Sequence, residues 1–227
     1  MASTVVDDLP RVAVLASGRG SNLAALLAAR ERGALPVQFV LVGSDKPAAA
    51  ALGLAAAAGV PTLALDPRSF ANRRAFDHEL LQRVAASGAQ WLVLAGYMRI
   101  VDGSALLPWI GRVINIHPSL LPKYRGLHTH RRALEAGDSE HGASVHFVTA
   151  ELDGGPVIAQ ARIQVQPGDD EETLAERLLP LEHRLLPAVL RLLASARLRW
   201  VNAAPQLDGT PLRKPLVLGV DGLHGAE

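Results

Sequence analysis

Short apolar runs alternate with helical patterns over the first 120 residues, and this alternation constrains the fold more than any other feature. The apolar runs have the length of buried strands and lie at residues 12–16, 37–42, 62–65, 91–95 and 113–117. The helical patterns between them run from residue 22 to a stop at residue 33, over 48–58, and from about 73 to 87. Strand–helix–strand repetition with apolar strands predicts a parallel sheet that helices cover on both faces.

Beyond Pro118 the pattern changes. The predicted elements are strands at residues 143–148 and 157–165, joined by a polar segment at 149–155, and a long helix at 171–194. Pro180 and Pro187 are expected to kink or break that helix, because proline lacks the backbone N–H and crowds the preceding turn. Asp208 and Gly209 predict a hairpin turn between two runs of mixed polarity.

These patterns together predict one α/β domain over residues 1–227. Its central sheet is expected to be mostly parallel, in the manner of a Rossmann variant, and mixed at the carboxyl-terminal edge. No internal repeat or low-complexity linker marks a second domain in the sequence. Residues from about 1 to 10 and from 215 to 227 are expected to be flexible tails.

Charge and composition narrow the class of protein. The chain carries 23 basic and 22 acidic side chains, which argues against a partner such as nucleic acid or an anionic membrane. It has no cysteine, which excludes disulfides, cysteine nucleophiles and thiolate metal sites. The first eight residues have no apolar core and so predict no signal peptide, and residues 48–58 are too short to span a bilayer. We therefore expect a cytoplasmic enzyme.

Residues 17–22, which we call the glycine loop, join the first predicted strand to the first predicted helix. Such a junction presents free backbone N–H groups and the positive end of the helix dipole, which together suit a phosphate. A tight turn with an ordinary N-cap would give the same pattern. Leu23 stands where a dinucleotide fingerprint has its third glycine, yet Asp45 lies at a distance suited to a ribose. A phosphate monoester is the simpler interpretation, and a nicotinamide enzyme is the alternative.

Asn115 and His117 lie two residues apart on the predicted strand that Pro118 ends. Strand side chains alternate between faces, so both project to the same side at the strand's carboxyl end, where parallel sheets bind ligands. An amide N–H and an imidazolium N–H there could hold the oxygen of a tetrahedral intermediate. A polar strand end satisfied by loop carbonyls is the alternative. Asp153, in a turn-rich loop, would raise the pKa of His117 if the fold brought the two together.

Four motifs occur in one order along the chain. They are Val-Leu-Ala-Ser-Gly-Arg-Gly-Ser-Asn-Leu at 14–23, Ala-Gly-Tyr-Met-Arg-Ile at 95–100, Asn-Ile-His-Pro-Ser-Leu-Leu-Pro at 115–122, and Ser-Val-His-Phe-Val at 144–148 with Asp-Gly-Gly-Pro at 153–156. In these motifs the chain resembles the glycinamide ribonucleotide transformylases (phosphoribosylglycinamide formyltransferases), folate-dependent enzymes of purine biosynthesis. The similarity covers residues from about 11 to 182.

The resemblance implies a set of site residues and a reaction. It implies that a formyl group passes from 10-formyltetrahydrofolate, a co-substrate, to the amine of glycinamide ribonucleotide. The implied catalytic residues are Asn115 and protonated His117, which hold the oxyanion, and Asp153, which keeps His117 charged and aids proton transfer. The implied ribotide-binding residues are Gly20, Ser21, Asn22 and Glu182. The implied folate-binding residues are Arg73, Met98, Arg99, Ile100, Val101 and Asn115.

Simpler interpretations stay open for several of these residues. Glu182 and Arg73 could be exposed helical residues, and Met98 and Ile100 could be core. Two positions depart from the common pattern of relatives: Arg19 adds a positive charge beside the proposed phosphate, and Arg125 stands where proline is frequent.

Several rival functions share parts of the pattern. Methionyl-tRNA formyltransferase resembles this chain in its first domain, but the short segment after Trp200 is too small for a tRNA-binding domain. Formyltetrahydrofolate hydrolase carries an additional amino-terminal domain, for which Val12 begins too early. A non-catalytic phosphate- or folate-binding domain is the third rival. Small-molecule substrates and a monomer or homodimer are expected.

The remaining histidines raise the question of a metal. His128, His130, His141 and His146 could suggest ligands, but the chain has neither cysteines nor an acidic cluster at helix spacing beside them. We predict no metal.

Overall fold

The structure is a computed structural model that describes residues 9–225. Six α-helices occur in that range: α1 (Ser21–Glu31), α2 (Ala50–Ala57), α3 (Arg73–Ala86), α4 (Gly103–Leu106), α5 (Thr129–Glu135) and α6 (Glu171–Ala194). The strands are β1 (Arg11–Leu15), β2 (Gln38–Ser44), β3 (Thr62–Ala64), β4 (Trp91–Leu94), β5 (Val113–His117), β6 (Glu140–Phe147), β7 (Val157–Gln164), β8 (Leu198–Val201), β9 (Ala204–Leu207), β10 (Thr210–Pro211), β11 (Leu216–Leu218) and β12 (Leu223–His224).

Nine of the strands within residues 9–225 form the central sheet, in the order β12-β11-β7-β6-β5-β4-β1-β2-β3. The strands from β1 to β5 pair in parallel. β6 pairs antiparallel with both β5 and β7, and β11 returns parallel to β7. The predicted fold class is therefore confirmed: a single α/β domain has a mostly parallel sheet that becomes mixed toward its carboxyl-terminal edge.

Helices cover both faces of this sheet, and each face buries its own apolar cluster. One cluster includes Val14, Leu26 and Ile114, packed with α1, α2 and α6. The other includes Leu15 and Phe76, on the side of α3 and α4. Consecutive strand residues face opposite sides of the sheet, so Val14 packs into one core and Leu15 into the other. This is why the parallel strands are apolar at nearly every position.

Helix α6 runs unbroken from Glu171 to Ala194 with both prolines inside it. Of the expected kink or break at Pro180 and Pro187, the break is therefore wrong. Asp170 and Thr173 form a reciprocal capping box at the start of the helix. Several leucines on one side of α6 are fully buried against the sheet. The free energy gained from their burial offsets the cost of the backbone hydrogen bonds that the prolines cannot form.

The carboxyl-terminal region adds strands that the sequence patterns did not predict. The Asp208–Gly209 hairpin is confirmed: both residues have positive φ, and Leu207 pairs with Thr210 across a two-residue turn. This hairpin belongs to a small antiparallel sheet of β8, β9 and β10. The predicted tail from residue 215 carries β11 and β12 at the edge of the central sheet.

The mobility of the two predicted tails stays a prediction. Residues 1–8 and 226–227 lie outside the described residues. Across the part of the chain that the structure describes, no helix is long and apolar enough to cross a membrane.

Candidate active site

Three loops meet at the carboxyl edge of the parallel strands. The glycine loop follows β1, residues 95–102 follow β4, and the loop from Pro118 follows β5. These three strands are neighbours, with β1 beside β4 and β4 beside β5. The sheet therefore places the predicted ribotide, folate and catalytic segments side by side, at the edge where parallel sheets bind ligands.

The predicted catalytic trio comes together at the end of β5. The Asp153 carboxylate, from the loop after β6, has Oδ2 3.5 Å from Nδ1 of His117. Both side chains are nearly buried, at 7% exposed for His117 and 10% for Asp153. Asn115 lies two residues before His117 on β5. The fold thus brings an amide, an imidazole and a carboxylate to one place from distant parts of the chain.

The ring of His117 has a protein partner facing each nitrogen. Nε2 lies 2.9 Å from the carbonyl oxygen of Tyr124. A carbonyl only accepts, so Nε2 carries a proton and donates it there. Nδ1 faces the carboxylate of Asp153. Burial lowers the pKa of His117, although Tyr124 and Asp153 act to raise it. Burial therefore disfavours the protonated ring, whereas acceptors that face both ring nitrogens favour it. The protonated His117 expected from the resemblance stays a prediction.

His146 is a member of this cluster that the sequence reasoning missed. It lies opposite Asn115 in the antiparallel pairing of β5 with β6. Its Nδ1 is 2.9 Å from the Phe147 carbonyl and therefore carries the proton, so its Nε2 accepts from Asn115 Nδ2 at 3.1 Å. Nε2 also lies 3.6 Å from Oδ1 of Asp153. His146 thus fixes the orientation of the Asn115 amide. The only sequence signal for this contact is the even spacing of Ser144 and His146 on one strand.

Asp153 is held by its own backbone and by the neighbouring loop. Its φ is 46°, in the left-handed region that aspartate tolerates better than most residues. Its Oδ2 accepts the Gly126 N–H at 2.9 Å. Burial acts to raise the pKa of Asp153, but the facing His146 and His117 and the Gly126 N–H lower it overall. Asp153 is therefore an ionised carboxylate at neutral pH.

Gly20, within the glycine loop, is the N-cap of α1. Gly20 has φ 78°, and a Cβ there would lie 2.8 Å from Cβ of Ala51. Only glycine fits this close approach without a shift of backbone. No side chain caps the start of α1, so its first N–H groups and the Ser21 side chain stand at the helix's positive end. The geometry suits an anion such as a phosphate.

Glu182 lies beside the glycine loop. Asn22 Nδ2 donates to Glu182 Oε2 at 2.8 Å, a contact between α1 and α6. Burial raises the pKa of Glu182, while the Asn22 hydrogen bond acts to lower it. The structure therefore places all four predicted ribotide residues, from Gly20 to Asn22 and Glu182, in one group.

Asp45 does not point to a nucleotide ribose. Its Oδ1 accepts a hydrogen bond from Ser17 Oγ at 2.5 Å, and Asp45 itself is only 7% exposed. The carboxylate is thus used inside the protein, which removes the sequence feature that supported a nicotinamide enzyme.

The predicted folate segment, Met98 to Val101, follows β4 as an irregular stretch. Met98 is 65% exposed and Ile100 is 49% exposed, so neither is core. Val101 packs into the apolar cluster beneath, and the Arg99 guanidinium lies 4.9 Å from the ring centre of Phe76. Arg73, at the start of α3, has a guanidinium nitrogen 4.0 Å from Asp102, at the end of the segment. Two exposed apolar side chains and an exposed arginine suit an aromatic ligand with a carboxylate.

The other histidines form local contacts. His141 Nε2 lies 3.0 Å from His130 Nδ1, and His128 contacts Arg131. Among residues 9–225, no group of three or more histidine, cysteine, aspartate or glutamate side chains is arranged to hold a metal. The absence of a metal stays a prediction.

A family sequence model that matches most of the chain identifies the class of protein. The sequence model of the formyl transferase family matches residues 10–190, and the chain belongs to that family. The chain is 46% identical over 201 residues to phosphoribosylglycinamide formyltransferase of Escherichia coli K12, which is 88% of this chain and 95% of that protein. The resemblance stated from the motifs is therefore confirmed.

Solved structures agree with the sequence relatives. Phosphoribosylglycinamide formyltransferase of Coxiella burnetii, in complex with CHES, superposes with a TM-score of 0.86 at 43% identity, covering 90% of this chain and 96% of that chain. Glycinamide ribonucleotide transformylase 1 of Symbiobacterium toebii gives a TM-score of 0.84 at 43% identity, covering 88% and 94%.

Proposed function

We propose that this enzyme transfers the formyl group of 10-formyltetrahydrofolate to the primary amine of glycinamide ribonucleotide, a step of purine biosynthesis. The observation that carries the proposal is the gathering of Asn115, His117 and Asp153 at the end of β5, one strand away from the segment after β4. Two relatives that this chain matches over nearly their whole length are named phosphoribosylglycinamide formyltransferase, which supports the proposal.

Each substrate has a region suited to its chemistry. The ribotide phosphate would bind the start of α1 through the N–H groups and side chains of Gly20, Ser21 and Asn22, with Glu182 on its ribose. The folate would lie along Met98, Arg99, Ile100 and Val101, with Arg73 near its carboxylates and Asn115 at its formyl end. The amine and the formyl carbon would then meet beside His117.

The reaction begins when the amine attacks the formyl carbon. A carbon–nitrogen bond forms and negative charge gathers on the formyl oxygen. Asn115 donates one amide N–H to His146, so its second N–H is available to that oxygen. The bond from carbon to N10 of the folate then breaks, and N10 takes a proton. Holding both reactants at this edge supplies much of the acceleration.

His117 and Asp153 are the residues proposed to transfer the proton from the attacking amine to N10 of the folate. The attacking nitrogen becomes cationic and must lose a proton, and the neutral form of His117, which burial favours, can accept it at Nδ1. Asp153, 3.5 Å away and ionised, then stabilises the imidazolium. The positive charge of the ring stabilises the nearby oxyanion electrostatically, while its N–H groups face Tyr124 and Asp153, until the proton passes to N10. This order supplies the protonated His117 during the reaction, although burial disfavours it beforehand.

The test is an ultraviolet assay for tetrahydrofolate that compares reactions with and without glycinamide ribonucleotide. We expect tetrahydrofolate to form only when the ribotide is present, and formyl ribotide to appear in equal amount. Equal rates without the ribotide would indicate a hydrolase. Binding of both ligands without turnover would indicate a non-catalytic domain.

The substrates proposed here are small molecules. Cytoplasmic location, a monomeric or homodimeric state, and independence from a metal stay predictions. Chelation by EDTA is expected to leave turnover unchanged.

A further inference from the structure

Two buried side chains from elsewhere in the chain hold the ends of the folate segment. The Met98 N–H donates to Ser17 Oγ at 2.9 Å, and the Asp102 N–H donates to Asp77 Oδ2 at 2.8 Å. Ser17 is 2% exposed and Asp77 is fully buried. Between these two contacts the chain has no helix or strand. The path of residues 98–102 therefore depends on acceptors that the segment does not itself contain.

Ser17 ties this segment to the glycine loop. Its hydroxyl donates to Asp45 Oδ1 at 2.5 Å, which leaves the oxygen lone pairs of Ser17 to accept from Met98. The backbone N–H of Ser17 also donates to the Gly96 carbonyl at 3.0 Å. One residue of the ribotide-side loop thus contacts the loop after β4 through both its backbone, at Gly96, and its side chain, at the start of the folate segment.

Asp77 accepts the hydrogen bond at the carboxyl-terminal end of the folate segment. It lies on α3, next to Phe76, on whose ring the Arg99 guanidinium rests. Burial raises the pKa of Asp77, while the Asp102 N–H and the charges of Arg99 and Arg73 act to lower it. Asp77 thus fixes the backbone at one end of the segment and lies close to the two arginines assigned to the folate.

Resting on the proposed function, we infer that Ser17 and Asp77 are positioning residues that preorganise the folate segment, and that Ser17 links this segment to the ribotide-binding loop. Neither side chain needs to touch a substrate. A segment held in its binding conformation loses less conformational freedom when the ligand binds. Removal of either acceptor leaves a backbone N–H to be satisfied in some other conformation.

Steady-state kinetics of Ser17→Ala and Asp77→Ala test the inference. Each variant is expected to raise the KM for 10-formyltetrahydrofolate roughly three- to tenfold, the value of one lost hydrogen bond. Asp77→Ala should leave the KM for the ribotide unchanged, whereas Ser17→Ala should raise it by a smaller factor. kcat at saturation should change less than the folate KM. Titration calorimetry with tetrahydrofolate should show the same loss in Kd.

Two further variants separate positioning from a general structural role. Asp77→Asn keeps an oxygen that can accept the Asp102 N–H, so it should restore the folate KM. Ser44→Ala removes an equally buried hydroxyl at the end of β2, whose backbone contact is the Lys46 N–H, outside the folate segment. This control should keep the wild-type folate KM even if it lowers the Tm.

The possible results distinguish the two claims. If Ser17→Ala and Asp77→Ala fold and keep wild-type folate KM and Kd while the wild-type enzyme transfers formyl groups, the inference fails and the proposed function stands. If the wild-type chain forms no tetrahydrofolate, the proposed function fails. If Asp77→Ala does not fold, Asp77→Leu fills the space without an acceptor, and it should show the same rise in folate KM.

Discussion

The two sides of the candidate active site are built from different parts of the polypeptide. The ribotide side uses the backbone of the contiguous glycine loop, shaped by Gly20, with one side-chain contact from Asn22 to Glu182. The catalytic side uses side chains from β5, β6 and the loop beyond, each contacting another. A backbone site tolerates many side-chain changes but few changes of conformation. A side-chain cluster has the opposite sensitivity.

Burial also shifts the pKa of a carboxyl on the ribotide side and of an imidazole on the catalytic side in opposite directions. Burial raises the pKa of the Glu182 carboxyl in the folded protein. The stability that this group contributes is therefore present below its pKa in the unfolded chain and is lost as the pH rises through its folded pKa. Burial lowers the pKa of His117 on the catalytic side, and also that of His130 and His141 outside the catalytic cluster. The stability that these groups contribute is present near neutrality and is lost in acid. Mutation and pH can therefore test the two sides separately.

The largest expected effect is on the catalytic side. His117→Ala should lower kcat on the order of a thousandfold, about 4 kcal/mol of transition-state stabilisation, because both the proton acceptor and the imidazolium charge are lost. The Kd of the ribotide, measured by titration calorimetry, should stay near the wild-type value, because the backbone site is intact. A ribotide Kd that weakens as much as kcat would show that the two sides are not separate.

Acid should lower the free energy of unfolding through a buried histidine outside the catalytic cluster. The pKa of His141 falls from 6.5 to about 4, chiefly through burial and then through the charge of His130, 3.0 Å away. The unfolded chain therefore binds more protons between these pH values, and the free energy of unfolding should fall by up to about 3 kcal/mol as the pH drops from 6.5 to 4. Denaturant unfolding at several pH values measures this slope. His141→Phe should flatten it, and His224→Gln, at an exposed histidine, should leave it unchanged.

Asp153→Asn should lower kcat by about a hundredfold, or 2.7 kcal/mol, since the carboxylate that stabilises the imidazolium is replaced by a neutral amide. The asparagine oxygen can still accept the Gly126 N–H, so the loop keeps its contact. Because the charge of Asp153 acts to raise the pKa of His117, the acidic limb of the pH–rate profile should also move to lower pH. An unchanged profile would place Asp153 outside the proton transfer.

The sequence predicted local features of this fold well and distant ones less well. β5 begins and ends at the predicted residues, because an apolar run bounded by proline is a local signal. The role of His146 required the register of β5 against β6, which no local pattern contains. The contact of Asp153 with His117 rested on the resemblance alone.

Two other failures have the same origin. The low helix propensity of Pro180 and Pro187 acts only on the residues around them. The free energy gained by burying the leucines of α6 is larger and keeps the helix unbroken. Strands as short as β11 and β12 are stable only beside a neighbour such as β7, so nothing in their own residues predicts them. Information about side-chain neighbours is what the sequence lacked, and the catalytic side depends on it most.

The smallest expected effect tests the backbone side directly. Gly20→Ala places a Cβ 2.8 Å from the Ala51 side chain and 2.9 Å from its Cα, at a positive φ, so the start of α1 must shift. We expect the KM for the ribotide to rise about tenfold, equivalent to 1.4 kcal/mol, with a smaller change in kcat. Gly18→Ala is the matched control, because a Cβ at that position meets nothing within 4 Å. The same methyl group in the same loop should therefore leave the ribotide KM nearly unchanged. If the two variants behave alike, the conformation of Gly20 does not shape the ribotide site, and the contrast between a backbone side and a side-chain side is lost.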